Sequence, residues 1–265
     1  MLIDPHIHMF SRTTDDYRLM FAAGIEAVVE PAFWLGSSRT SPHSYYDYFT
    51  HILEIEHKRA ANHNILHKCC IGVNAKEAEE VELSLETVAG MDRFLEHPNC
   101  VAVGEIGFNN ITPNEEKVFR AQLELARKHD LPVVIHTPHF NKKAGVARIM
   151  EILHEMELDL DRILVDHNTE ETMPLVADSP VWKGFTIYPT KMSSERTVAM
   201  LKKYGFERMV VNSSADWGDS DPLAVPKTAA LMRAMRFPRS VIRKVFFDNP
   251  REFYAMSGRF DPPVD

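Results

Sequence analysis

The chain has 265 residues, 45% of them hydrophobic and 26% charged, with a net charge of −8 at pH 7. That is ample material for one large core, and the acidic balance argues against a protein built to grip a long nucleic-acid backbone, which calls for a basic face. Three cysteines, Cys69, Cys70 and Cys100, make no CxxC pair and no disulfide spacing, which argues against a thiolate zinc site and fits buried thiols in a reducing cytoplasm.

The N-terminus enters a strand-like segment without the basic and apolar stretches of a signal peptide, and no apolar run approaches about 18 residues. A cytoplasmic chain with no membrane span is expected. Eight β-rich runs follow in order: Leu2–Ile7, Ile25–Glu30, Ile65–Val73, Cys100–Ile106, Pro132–His136, Arg162–His167, Gly184–Tyr188 and Arg208–Asn212. Several are nearly continuous in Val, Ile, Leu and Cys, as parallel strands covered on both faces require.

Helical patterns separate them. Pro113 to Lys128 is the clearest, with Val118, Leu123, Leu125 and Ala126 on one stripe and Thr112-Pro113 as cap and first turn. Others run from Tyr46 to His63, Ser193 to Tyr204, Pro222 to Met235, and Asn249 to about Met256. One strand and one helix per roughly 33 residues is the rhythm of a (β/α)₈ TIM barrel, expected as a single domain over residues 1–265. An open doubly wound sheet usually carries a Gly-rich loop after its first strand; here that place holds His6-Ile7-His8.

That HxH is the first candidate for chemistry. Residues two apart on a strand share a face, so His6 and His8 can offer two imidazoles to one ion at the barrel mouth. Alone the pattern is a weak signal, and two structural histidines are its plainer reading. Further strand ends carry donors too: Glu105 between Gly104 and Gly107, His136 after Val133-Val134-Ile135, and His167 after Leu164-Val165-Asp166. Each follows an apolar run, where such a side chain is costly without a partner. Asp216 lies a little past the eighth strand, where it is either a further donor or a turn residue before Trp217-Gly218.

These pieces together resemble the TatD-like metal-dependent hydrolases of the amidohydrolase superfamily. They are Asp4-Pro5-His6-Ile7-His8, Gly104-Glu105-Ile106-Gly107, Ile135-His136, Asp166-His167, Asp216 and the terminal Asn249-Pro250-Arg251-Glu252-Phe253, spread over nearly the whole chain. The resemblance implies two divalent metal ions, zinc, manganese, iron or similar. His6 and His8 with Asp216 would hold one, His136 and His167 the other, and Glu105 would bridge them in place of the carboxylated lysine of many superfamily relatives. It also implies Asp216 as the group that takes a proton from water during hydrolysis. Asp4 and Asp166 are candidates to orient the ligand imidazoles.

The substrate side departs from the family. The arginine common two residues after the fifth-strand histidine is absent, the chain reading His136-Thr137-Pro138-His139. Asn168-Thr169-Glu170-Glu171 replaces the usual loop after the sixth strand, and Trp217-Gly218-Asp219 follows Asp216. His139, Trp34, Lys191 and Trp217 are candidate substrate contacts, each with a plain alternative as loop or packing residue. Lys142-Lys143 reads as a solvated helix start. The favoured function is hydrolysis of a phosphoester in a small or medium anionic substrate. Hydrolysis of a lactone, amide or other C–O or C–N bond, a DNA or RNA exonuclease, and an inactive binding or scaffold barrel are the alternatives.

Overall fold

The computed structural model describes residues 1–263. Eight strands form one parallel sheet in the order β1 to β8. They are β1 Leu2–Asp4, β2 Ile25–Pro31, β3 Leu66–Ile71, β4 Cys100–Gly107, β5 Val133–His136, β6 Ile163–Val165, β7 Trp182–Thr186 and β8 Met209–Asn212. Helices lie between them, as the alternation of the sequence requires. Backbone bonds close the ring beyond the regular ladder: Ser214 N donates to His6 O at 2.7 Å and His8 N to Ala215 O at 2.9 Å. The segment after β1 is thereby held beside the segment after β8. The fold is the expected (β/α)₈ barrel.

Side-chain alternation divides the core in two. Cys69 and Ile71 pack outward with the helices, while Cys70 between them joins Val29, Ala102, Val134, Leu164 and Val210 inside the barrel. Phe247, Phe253 and Tyr254 of the C-terminal segment complete that inner cluster, and Tyr254 donates to Pro5 O at 2.6 Å. Every residue of β4 is buried, which is why that strand reads as an unbroken apolar run apart from Glu105.

Each strand shifts by a residue or more at one end at least, and β3 shortens to Leu66–Ile71. β1 ends at Asp4 and β6 at Val165, short of the histidines expected to close them, and β7 runs Trp182–Thr186 instead of Gly184–Tyr188. His167 has φ +59°, a left-handed conformation that no ladder accommodates and that tends to occur where function over-determines the backbone. The helix expected from Tyr46 begins earlier, at Pro42 in the first turn, and continues through a π-helical stretch, His51–Glu56, to Ala61. Helices Thr14–Ala22 and Val81–Ala89 are additions to those expected. The legible signal for the first is its capping box, Thr13 with Asp16.

Candidate metal centre

The strand ends bring their donors together at the C-terminal mouth. Glu105 is delivered by an irregularity: the β4–β5 register shifts between Val103 and Ile106. Gly104 permits it, since a Cβ there would stand 2.9 Å from Val134 O. Bulges of this kind re-aim a side chain beside a site.

The Glu105 carboxylate lies centrally among the imidazoles. Its Oε2 is 3.1 Å from His136 Nδ1, 3.3 Å from His167 Nε2 and 3.5 Å from His6 Nε2. His8 Nε2 is 3.3 Å from His6 Nε2, and His167 Nε2 is 3.1 Å from His136 Nδ1. Donor atoms of His6, Glu105 and His167 all lie within 4.8 Å of one another. All five of these side chains are buried.

Asp216 stands apart from this group. Its Oδ1 accepts from Tyr188 OH at 3.2 Å and from Gly218 N at 2.7 Å. It is only partly buried.

A second layer fixes the rings. Asp166 Oδ2 holds His6 Nδ1 at 2.6 Å, Thr186 Oγ1 holds His167 Nδ1 at 2.6 Å, and Pro31 O holds His8 Nδ1 at 3.2 Å. Asn74 Nδ2 donates to Glu105 Oε1 at 3.0 Å. Asn212 Nδ2 reaches both oxygens of Asp166 at 3.0 Å. Of the two expected orienting carboxylates, Asp166 serves an imidazole and Asp4 does not: Asp4 Oδ1 accepts from Ser213 N at 3.2 Å and His6 N at 3.3 Å, tying β1 to β8. Thr186, Asn74 and Asn212 carry no sequence signal, because a neutral side chain at a strand end is commonplace.

Burial sets the protonation. Desolvation holds His8, His136 and His167 below the ordinary imidazole range. Desolvation opposes the charged form of His6 as well, but the Glu105 and Asp166 carboxylates outweigh it and raise His6. Burial likewise works against ionised Glu105, and its interactions with His136, His6 and His167 overcome it and push its pKa well down. An ionised carboxylate among mostly neutral imidazoles is the donor set that borderline divalent cations prefer. His136 Nε2 is buried with no hydrogen-bond partner, a cost that a ligand to that nitrogen would relieve. The residues present therefore fit metal ions.

The remaining candidates line the rim. Lys191 Nζ lies 3.3 and 3.4 Å from the two nitrogens of His167. Burial lowers its pKa, with Glu105, Asp166 and Asp216 acting the other way. His139 is on the surface, its ring centroid 5.9 Å from that of His136. Trp34 and Trp217 touch each other, with centroids 5.8 Å apart.

Lys142 corrects an expectation. It is buried, not solvated, and its Nζ donates to Thr137 Oγ1 at 2.7 Å, His167 O at 3.2 Å and Thr137 O at 3.3 Å. These oxygens lie just beyond the ends of β5 and β6 and give the buried ammonium its hydrogen-bond partners.

A parallel eight-stranded barrel with these donors at its mouth is that of a metal-dependent hydrolase. More narrowly, the chain belongs to the TatD family: the family described as TatD related DNase matches residues 3–255. An uncharacterized metal-dependent hydrolase of Methanocaldococcus jannaschii is 28% identical over 256 residues, covering 96% of this chain and all (100%) of that protein. A 3'-5' ssDNA/RNA exonuclease TatD of Erwinia billingiae is 46% identical over 70 residues, 24% of this chain and 26% of that one. The crystal structure of a TatD-like protein from Archaeoglobus fulgidus superimposes with a TM-score of 0.79 at 27% identity, covering 95% of this chain and 99% of that one. Among the described residues no helix is long and apolar enough to cross a membrane.

Proposed function

We propose that this hydrolase uses two divalent cations, held by His6, His8, Glu105, His136, His167 and Asp216, to cleave an ester of a small or medium anionic substrate, a phosphoester above all. The observation that carries this reading is the pairing of a buried donor cluster with a cationic rim. Lys191 lies against His167, Lys76 Nζ stands 6.0 Å from the ring centroid of Phe33, and neither has a carboxylate within 4.0 Å among the described residues. In a chain of net charge −8, two ammonium groups without a carboxylate partner beside one site suit a negatively charged ligand. Lys191 thereby offers the positive charge that the missing fifth-strand arginine would have supplied, as a point charge rather than a fork.

Bound cations of this type supply Lewis acidity for activating water and for stabilising charge on the substrate oxygen. The chain's own groups do the rest. Glu105 and the four imidazoles, locked by Asp166, Thr186, Pro31 and Asn74, keep the donors preorganised. Asp216 accepts the proton of the attacking water and hands it to the leaving oxygen. Tyr188 and Gly218 occupy Oδ1, which leaves Oδ2 as the oxygen for both roles, metal ligand and proton acceptor. Lys191 positions the anionic group of the substrate.

The test is a panel of chromogenic phosphodiester, phosphomonoester and lactone substrates on metal-loaded protein, with chelation and reloading as the control. Phosphoester turnover that disappears with chelator and returns with a divalent cation supports the reading. Turnover of the lactone alone overturns it in favour of C–O chemistry at carbon. Absence of both metal and activity after loading overturns it in favour of a binding barrel. The match to the Erwinia exonuclease supports a nuclease form of the same chemistry, for which metal-dependent shortening of single-stranded DNA is the readout.

A further inference from the structure

Beside the metal centre stands an aromatic wall that the proposed hydrolysis does not use. Phe33 stacks on His8, with centroids 3.9 Å apart and planes at 21°. Trp217 leans on Phe33 at 5.1 Å, on Phe10 at 5.7 Å and on Trp34 at 5.8 Å. The contacts with Phe10 and Trp34 are edge-to-face, the arrangement that ring quadrupoles favour. Trp217 is therefore buttressed from three sides, yet 44% of it remains exposed. It follows Asp216 directly in the chain. On the far side of Trp34, Lys76 Nζ sits 4.6 Å from the ring centroid. There a cavity of about 290 Å³ opens, lined by Trp34, Arg39 and Lys76 together with Glu77, Glu79 and Glu80.

A rigid, half-exposed indole adjoining the carboxylate of a site is a ready surface for a flat ring, since little conformational entropy is lost when one stacks on it. We propose that the substrate carries a planar aromatic ring next to its scissile ester, and that Trp217, backed by Phe33 and Trp34, seats that ring. The inference rests on the anionic-ester reading above and narrows it to aryl-bearing esters. The cavity beyond Trp34, lined by cations and carboxylates alike, leaves room for a polar extension of the ring.

Phenylphosphonate and methylphosphonate share the anionic group and resist hydrolysis, so their binding to the metal-loaded protein by titration calorimetry isolates the ring. Phenylphosphonate is expected to bind about tenfold more tightly, and Trp217→Ala to remove that preference while leaving methylphosphonate unchanged. Trp217→Phe should retain most of it. Equal binding of the two by the unaltered protein overturns the aromatic seat and leaves the anionic-ester reading standing. A preference for phenyl that survives both Trp217→Ala and Trp34→Ala likewise overturns the seat. Failure of both ligands to bind defeats the anionic reading and this inference with it.

Discussion

Asp166, one residue before His167 in the chain, gives its carboxylate to His6 on the opposite side of the barrel mouth, with Oδ2 and Nδ1 2.6 Å apart. Burial alone would raise this carboxyl. His167 and His6 reverse that and push it far down. A carboxylate behind an imidazole fixes its tautomer and increases its basicity as a ligand. Asp166→Asn is therefore expected to weaken metal binding about 10–100-fold with little change in secondary structure. Competition titration against a chromogenic chelator measures it, and unchanged affinity would show that the contact is only structural.

Gly184 reports on the same carboxylate from behind. A Cβ there would lie 2.0 Å from Asp166 Oδ1 and 2.7 Å from its Cγ. Gly184→Ala must displace Asp166, at a cost of about 1–3 kcal/mol in stability and with a metal defect resembling that of Asp166→Asn. Urea unfolding and metal titration together distinguish displacement from simple destabilisation.

Glu105 Oε2 is shared by His136, His167 and His6. Glu105→Gln is expected to lower metal occupancy throughout the centre, whereas His8→Ala should chiefly affect one ion. Elemental analysis of the purified variants gives the count. Two ions per chain and undiminished activity in Glu105→Gln would refute the bridging role.

Lys142 is held near pKa 7, chiefly by burial and then by the charge of Lys191, against an ordinary value of 10.5. Between these values the unfolded chain binds a proton at this residue that the folded chain does not. Folded-state stability contributed by Lys142 therefore rises with pH across that window. From about pH 7.5 to about pH 9.5 the rise amounts to about 2 kcal/mol. Lys142→Met should flatten the curve of urea midpoint against pH, with chelator present throughout. An identical slope in both proteins would mean that the ammonium stays protonated in the fold.

Much of this protein could be read without its fold. The eight apolar runs, their spacing and the helix Pro113–Lys128 are local matters of hydrophobic period and capping, and that helix spans the expected residues. Residue type and place also single out His6, His8, Glu105, His136 and His167, because a donor at the end of an apolar run is conspicuous.

What the linear chain does not contain is which groups meet. Asp166 supports His6 across 160 positions, Thr186 and Pro31 fix the other rings, Lys142 turns inward, and Trp217 gains its three aromatic neighbours only when loops from different strands share one rim. Local periodicity decides which segments become strands and helices. Closure of the barrel decides these partnerships, because hydrogen bonds and ring contacts act over a few Å in space regardless of separation along the backbone.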